Sequence, residues 1–218
     1  MMSCSDTLPI ILASSSPRRQ ALLTSAGVAF DVMRADIDES WQAGETAQAY
    51  INRMVRQKSA KACQIYQADP INQTNQAQSA LILTADTIGV LATGEVLTKP
   101  VDKADAFAMW DKLSATTHEI WTAVCGTVVC DNKTTIQKVI QVATTVQFTT
   151  LTEIQKERYW ATGEPLDKAG AYAIQGGGVA WVRSIHGSYS NVVGLPLVET
   201  LELIAELSDW ATQSQRYS

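Results

Sequence analysis

The sequence predicts an α/β fold, a mixed β-sheet with flanking helices, and three observations carry that reading. Leu8–Ala13 and Leu81–Ala85 are short, continuous apolar runs of the kind that form strands buried on both faces. Glu119–Cys130 and Thr135–Phe148 are two longer runs on either side of Asp131-Asn132-Lys133, which reads as a hairpin. Helical patterns alternate with these strands instead of forming a separate block, so helices and sheet share one architecture.

The elements follow in order. Leu8–Ala13 delivers Ser14-Ser15-Ser16-Pro17-Arg18-Arg19 to a helix in which Ser16 suits the N-cap, Pro17 the first turn and Gly27 the stop. Val28–Met33 reads as a strand, and Asp36-Ile37-Asp38-Glu39 as an acidic turn. A long helix is expected from about Thr46 to Ala68, with Ile51, Met54, Val55, Ala62 and Ile65 on one stripe. Lys58 falls inside that stripe, so its ammonium emerges from the inward face. Residues 67–80 are polar, rich in Gln and Asn, and read as a surface loop. Leu81–Ala85 is a buried strand ending on Asp86-Thr87. A Thr93-Gly94 turn, a short strand and Lys99-Pro100 come next, then a helix from about Asp102 to Leu113 with Phe107, Trp110 and Leu113 on one face. Thr152-Glu153-Ile154-Gln155 has capping-box spacing and opens a helix that Gly163 can stop. Residues 164–178 are irregular, Val179–Ile185 returns to strand, and Gly194-Leu195-Pro196 opens a last helix to about Leu207.

Composition narrows the function classes. The 218 residues carry 17 Lys and Arg against 22 Asp and Glu, for a net charge of −5, and are 46% hydrophobic. Mean hydropathy is −0.03 and the pI about 5.0. There is material for a core, and the composition opposes disorder. An acidic chain lacks the basic field that nucleic acid or an anionic membrane requires, so neither is expected as a partner. No apolar run approaches a membrane span, and the first one is too short for a signal peptide. Cys4, Cys63, Cys125 and Cys130 form neither a CxxC pair nor a disulfide framework, and are expected as reduced thiols of a cytoplasmic protein. Cys125 and Cys130, five positions apart, fall on opposite faces of their strand. The chain reads as one domain, 1–218.

No P-loop, GxGxxG or HExxH is present, and His118 and His186 stand far apart. The chemistry lies in ionic groups at strand ends and on the inward helix stripe. Ser14 to Arg19 gathers hydroxyls, two guanidiniums and free helix N–H groups, the means to hold a phosphate without a P-loop; a capped helix with two solvated arginines satisfies the same pattern. Lys58 requires an anion, from a ligand or from a structural ion pair. Asp86, after a buried strand, stands where α/β enzymes place catalytic carboxylates, and where turn-forming Asp also occurs. Asp36, Asp38 and Glu39 offer hard oxygen donors to a divalent cation, or form a solvated turn. Lys99 is held extended by Pro100. Gln175, before three glycines, offers an amide edge where backbone permits close approach. Cations for phosphates, carboxylates for a metal or a water, and an amide for a base edge together suggest a nucleotide enzyme.

Ala13-Ser14-Ser15-Ser16-Pro17-Arg18-Arg19 resembles the ASxSPRR signature of the Maf family of nucleoside triphosphate pyrophosphatases, also labelled septum formation inhibitors. The likeness continues through Asp38-Glu39, Arg56-Gln57-Lys58-Ser59-Ala60, Ala85-Asp86-Thr87, Lys99-Pro100, Glu164 to Tyr172, Ile174-Gln175-Gly176, and Gly187-Ser188-Tyr189 with Asn191 to Pro196, in the family's order. It implies two lobes around a central cleft and hydrolysis between the α and β phosphates with Mg²⁺, Mn²⁺ or Co²⁺. By the same resemblance Asp86 is the proton acceptor. Ser14, Arg18, Arg19, Lys58 and Lys99 are phosphate-site residues, and Glu39 is a metal or water-positioning carboxylate. Arg18, Thr87 and Gln175 match the dTTP/UTP branch, in which a Gln amide and a Thr hydroxyl can meet a uracil or thymine edge. Residues 67–80 look longer than the family's loop, and Ala173 stands where Gly is common. A homodimer is a further implication. A division regulator that binds without hydrolysis, or a hydrolase of non-standard purine triphosphates, are the alternatives.

Overall fold

The computed structural model describes residues 8–70, 72, 79–130 and 133–216. Seven strands form one mixed sheet in the order β2-β1-β3-β5-β6-β7, with β4 paired to β3. The strands are β1 (Ile10–Leu12), β2 (Asp31–Val32), β3 (Ala80–Leu91), β4 (Val96–Leu97), β5 (Thr117–Cys130), β6 (Lys133–Phe148) and β7 (Val182–His186). The helices are α1 (Pro17–Ser25), α2 (Ala47–Ala68), α3 (Lys103–Leu113), α4 (Glu153–Trp160), α5 (Tyr189–Val193) and α6 (Leu197–Arg216). Among the described residues no helix is long and apolar enough to cross a membrane.

β3 organises the molecule. It pairs with β5 from Ala80 to Leu91, whereas its other edge is shared: β1 runs parallel beside Leu81–Leu83, and β4 antiparallel beside Gly89 and Val90. Between those partners β3 is left open from Thr84 to Ile88. Strand alternation sends Leu81, Leu83 and Ala85 toward α6, and Ile82, Ile88 and Val90 toward α2. Gly126 of β5 lets α6 approach closely, since a Cβ there would stand 2.5 Å from Leu207. A separate aromatic core, with Trp110, Phe148, Tyr159, Tyr172 and Trp181, lies under α3 and α4.

Local signals account for most element boundaries. Thr46 caps α2 by accepting from the Ala49 N–H at 3.2 Å, Asp102 caps α3, and Thr152 with Gln155 forms the full capping box of α4. Several expectations are corrected. β2 is only two residues, not Val28–Met33. Ile65 is partly exposed and lies off the α2 stripe. β3 does not end at Asp86; it runs on to Leu91, because Asp86 and Thr87 each find partners on opposite faces of a continuous ladder with β5. Val179–Trp181 is a 3₁₀ turn, so β7 starts at Val182, and α6 extends to Arg216. Cys125 and Cys130 do face opposite sides. Cys4, the hairpin tip Asp131-Asn132, and most of the expected 67–80 loop lie outside the described residues.

Candidate active site

A cleft of about 860 Å³ opens where β3 lacks a lateral neighbour. It is lined on one side by Ser14 to Arg19, Lys58, Asp86 and Thr87, and on the other by Lys99, Ile174 and Gln175. The nine residues to which the family resemblance gives a role, Glu39 included, all line this one space.

At the phosphate end, Ser16 is extended and its side chain makes no cap, so α1 begins with orphan N–H groups. That departs from the expected N-cap role and leaves those donors, with the positive end of α1, for an anion. Ser14 Oγ accepts from Ser16 N at 3.3 Å and from Arg19 Nη1 at 3.2 Å. Arg19 also donates from Nε to the Gly194 carbonyl at 2.8 Å and from Nη2 to Thr87 Oγ1 at 3.1 Å. Three of its five N–H groups are thereby spent and the guanidinium is fixed. Burial pulls the Arg19 guanidinium down and the Asp86 charge works against that. Arg18 is held by one bond, Nε to the Val193 carbonyl at 3.3 Å. Lys99 is exposed on the opposite wall.

Asp86 and Thr87, being consecutive on a strand, face opposite ways. Asp86 faces α2, where Lys58 Nζ meets its Oδ1 at 2.6 Å and Glu39 Oε1 at 2.7 Å. The inward ammonium has therefore found its anions within the protein. Half-burial works to raise the Glu39 carboxyl, but the Lys58 hydrogen bond, with the charges of Lys58, Lys99 and Arg19, holds it below its ordinary value. Burial, then the Asp86 and Glu39 charges, pushes the Tyr50 phenol up to about 12.

Thr87 sits against Arg19 while also lining the cleft. Its hydroxyl accepts from Arg19, shares a 2.9 Å hydrogen bond with Thr122 Oγ1, and lies 3.4 Å from the Gly194 carbonyl. These contacts let it orient Arg19. Gln175 is exposed to the cleft, and its amide makes no hydrogen bond among the described residues.

The acidic segment divides. Asp36 lines the cleft, while Asp38 caps its own turn through Ser40 N at 2.9 Å, a bond that lowers its carboxyl. Among the described residues no group of three or more His, Cys, Asp or Glu side chains could hold a metal. Two hard carboxylates, Glu39 and Asp86, each give one oxygen to Lys58 Nζ, and carboxylate oxygens are the donor type from which Mg²⁺ is held when substrate phosphates and waters complete its shell. Tyr50 and Arg53 were not foreseen. Tyr50 donates to the Glu39 carbonyl at 3.0 Å, and Arg53 binds Glu45 and the Ser40 carbonyl, so together they fasten the segment that carries Glu39 to α2. The spacing of Tyr50, Met54 and Lys58, four residues apart, is the signal that places Tyr50 on the Lys58 face.

A family model described as Maf-like protein matches residues 9–207. A protein of Psychrobacter cryohalolentis named dTTP/UTP pyrophosphatase is 44% identical over 94% of this chain and 100% of its own length. Proteins of the same name from Psychrobacter arcticus and an Anaeromyxobacter species are 45% and 46% identical, over 94% and 89% of this chain and 97% and 87% of their own. A solved nucleoside-triphosphatase / dITP/XTP pyrophosphatase from Mycobacterium abscessus overlaps 72% of this chain and 94% of its own at 13% identity and a TM-score of 0.38, too loose a likeness to carry an argument.

Proposed function

The chain belongs to the Maf family, and from that premise we propose that it hydrolyses dTTP, UTP and modified pyrimidine forms to the monophosphate and pyrophosphate, in a metal-dependent reaction in the cytoplasm. The observation that carries this reading is Asp86 at the open edge of β3, sharing Lys58 with Glu39 in the cleft that also holds the Ser14–Arg19 turn.

The α1 N–H groups, Ser14, Arg18 and Arg19 bind the phosphate chain from one wall and Lys99 from the other. Asp86 accepts a proton from a water as that water's oxygen bonds to the α phosphorus and the bond to the bridging oxygen breaks. Arg19, already locked by Ser14, Gly194 and Thr87, meets the charge growing on the departing pyrophosphate without having to reorganise. Lys58 orients both carboxylates. Glu39 and Asp86 would hold the divalent cation, which supplies Lewis-acid charge stabilisation on phosphate oxygens when bound. At the far end Gln175 offers a donor and an acceptor to the O4 and N3–H edge of uracil or thymine.

The assembly we propose is a homodimer. The outer edge of β6 supports it, since β7 covers only Thr145–Phe148 and leaves residues 133–144 without a lateral strand among the described residues.

Pyrophosphate release from a panel of nucleoside triphosphates with Mg²⁺ or Mn²⁺ tests the activity. Turnover of dTTP and UTP is expected, with a loss of about 10²–10⁴-fold in Asp86→Asn. Full turnover in that variant would remove Asp86 as the base, and turnover of purine triphosphates alone would remove the assignment of the base.

A further inference from the structure

Gln175 poses a physical problem for the pyrimidine reading. Its amide is exposed, unanchored and followed by Gly176, Gly177 and Gly178, the residues that lose most entropy on being fixed. A side chain on a wandering turn cannot discriminate between base edges, because recognition depends on donors and acceptors held in place before the ligand arrives. One internal bond, from the Gly176 N–H to the Ala173 carbonyl at 3.2 Å, closes the turn, and a second support is needed to fix it relative to the cleft.

That support is visible behind it. Tyr159 Oη accepts from the Ala173 N–H at 3.0 Å and donates to Glu164 Oε1 at 3.0 Å. The other carboxylate oxygen, Oε2, accepts from the Gly177 N–H at 3.0 Å. Ala173 and Gly177 each lie two residues from Gln175, so one phenol and one carboxylate tie both limbs of the turn together. A Cβ at Gly176 would collide with the Glu164 carboxylate, and one at Gly177 would stand 2.9 Å from the Tyr159 ring. Gly176 and Gly177 are thus explained by close approach of these two side chains to the backbone, and Gly178 by the Ala173 carbonyl and the Tyr172 ring. Tyr159 is itself immobile, 5% exposed and packed edge-on to Trp181 with ring centroids 4.7 Å apart. Glu164 follows Gly163, whose φ of +73° turns the chain back, and its N–H is received by Thr162 Oγ1 at 3.2 Å. Neither Tyr159 nor Glu164 lines the cleft.

We propose that Tyr159 and Glu164 are positioning residues for base selection: a phenol–carboxylate clamp, outside the cleft, that presets Gln175 for a pyrimidine edge with a 4-oxo group and an N3–H. This rests on the reading of Gln175 as the base-contacting amide. Its distinguishing consequence is that the clamp governs which base is preferred and leaves the phosphate chemistry alone, since Asp86, Lys58 and Arg19 belong to other elements.

The test compares kcat/KM for dTTP and dCTP, which differ at the 4-position and N3, in wild type, Tyr159→Phe, Glu164→Gln and Gln175→Ala. Tyr159→Phe keeps the ring and deletes the hydroxyl, and Glu164→Gln removes one acceptor at a half-buried site, so the fold survives at least one of them, as a thermal melt verifies. The expected result is a dTTP/dCTP preference about tenfold lower in both clamp variants, through a raised KM for dTTP, with kcat on saturating dCTP unchanged. In the Gln175→Ala background, Tyr159→Phe is expected to add no further change in the preference, because it acts through Gln175. A preference altered by Gln175→Ala but untouched by Tyr159→Phe and Glu164→Gln would overturn the clamp and leave the base reading standing. An unaltered preference in Gln175→Ala would overturn both. An equal fall on every substrate would reduce the clamp to ordinary scaffolding and overturn it as well.

Discussion

Lys58 shows what one side chain contributes by standing between two carboxylates. With its side chain 13% exposed, it is the cation that offsets both Asp86 and Glu39. In Lys58→Met, burial acts on Glu39 with less opposition, so its carboxyl rises and is protonated at a higher pH than before. The acid limb of the kcat/KM profile for dTTP is expected to move toward neutrality, with the loss larger at pH 5 than at pH 8; a profile scaled down uniformly would assign Lys58 to phosphate binding alone. His118 makes a second residue-scale case. It is buried, shares a 2.7 Å hydrogen bond through Nε2 with the Tyr172 hydroxyl, and its Nδ1 has no partner. Burial lowers it from 6.5 to about 4. The folded protein therefore binds fewer protons than the unfolded chain below pH 6.5, so stability falls as pH drops from about 6.5 to about 4, by up to about 3 kcal/mol. Urea unfolding at pH 7 and pH 5 checks this, and His118→Gln is expected to flatten that part of the dependence.

At the scale of elements, the capped helices were legible because capping is local chemistry: Thr46, Asp102 and the Thr152–Gln155 box each report their helix within four residues. The open stretch of β3 was not legible, since no local pattern tells a strand ending at Ala85 from one whose lateral partner changes while the strand runs on. The second task of Thr87 was not legible for a related reason. A hydroxyl beside a catalytic carboxylate reads as a ligand group, and only strand alternation shows that it also stands against Arg19. The ionic residues of the cleft were legible by type, because cations and carboxylates at buried positions have few other uses. Helical spacing places Tyr50 on the Lys58 face, but which backbone groups Tyr50, Arg53, Tyr159 and Glu164 reach is set by the fold and not by local pattern. Packing supplies an element-scale prediction: Gly126→Val pushes β5 against Leu207, which is fully buried. Overpacking of this kind costs about 1–3 kcal/mol, and in a chain of this size each kcal/mol lowers Tm by about 2–4 °C. Calorimetry is expected to register that fall with turnover per folded molecule unchanged; an unaltered Tm would mean α6 gives way at no cost.

At the scale of the whole molecule, the cleft exists because two groups of elements meet without covering the middle of the sheet. β1 and β4 approach β3 from the same side and stop short of each other, and the exposed interval carries the carboxylate. The aromatic core under α3 and α4 and the aliphatic core under α6 are distinct clusters, yet β3 contributes Leu91 to the first and Leu81, Leu83 and Ala85 to the second. Neither half can lose its structure without breaking the twelve-residue ladder between β3 and β5. One calorimetric transition is expected, with van't Hoff and calorimetric enthalpies in agreement; two resolved transitions would show that the halves melt separately. Deuterium exchange carries this to the site itself. The β3 amides that donate to β5 lie in the one segment that both halves must abandon, so they are expected to exchange only through global opening, whereas Ala85 and Thr87, whose N–H groups face the open edge, are expected to exchange faster than these neighbours.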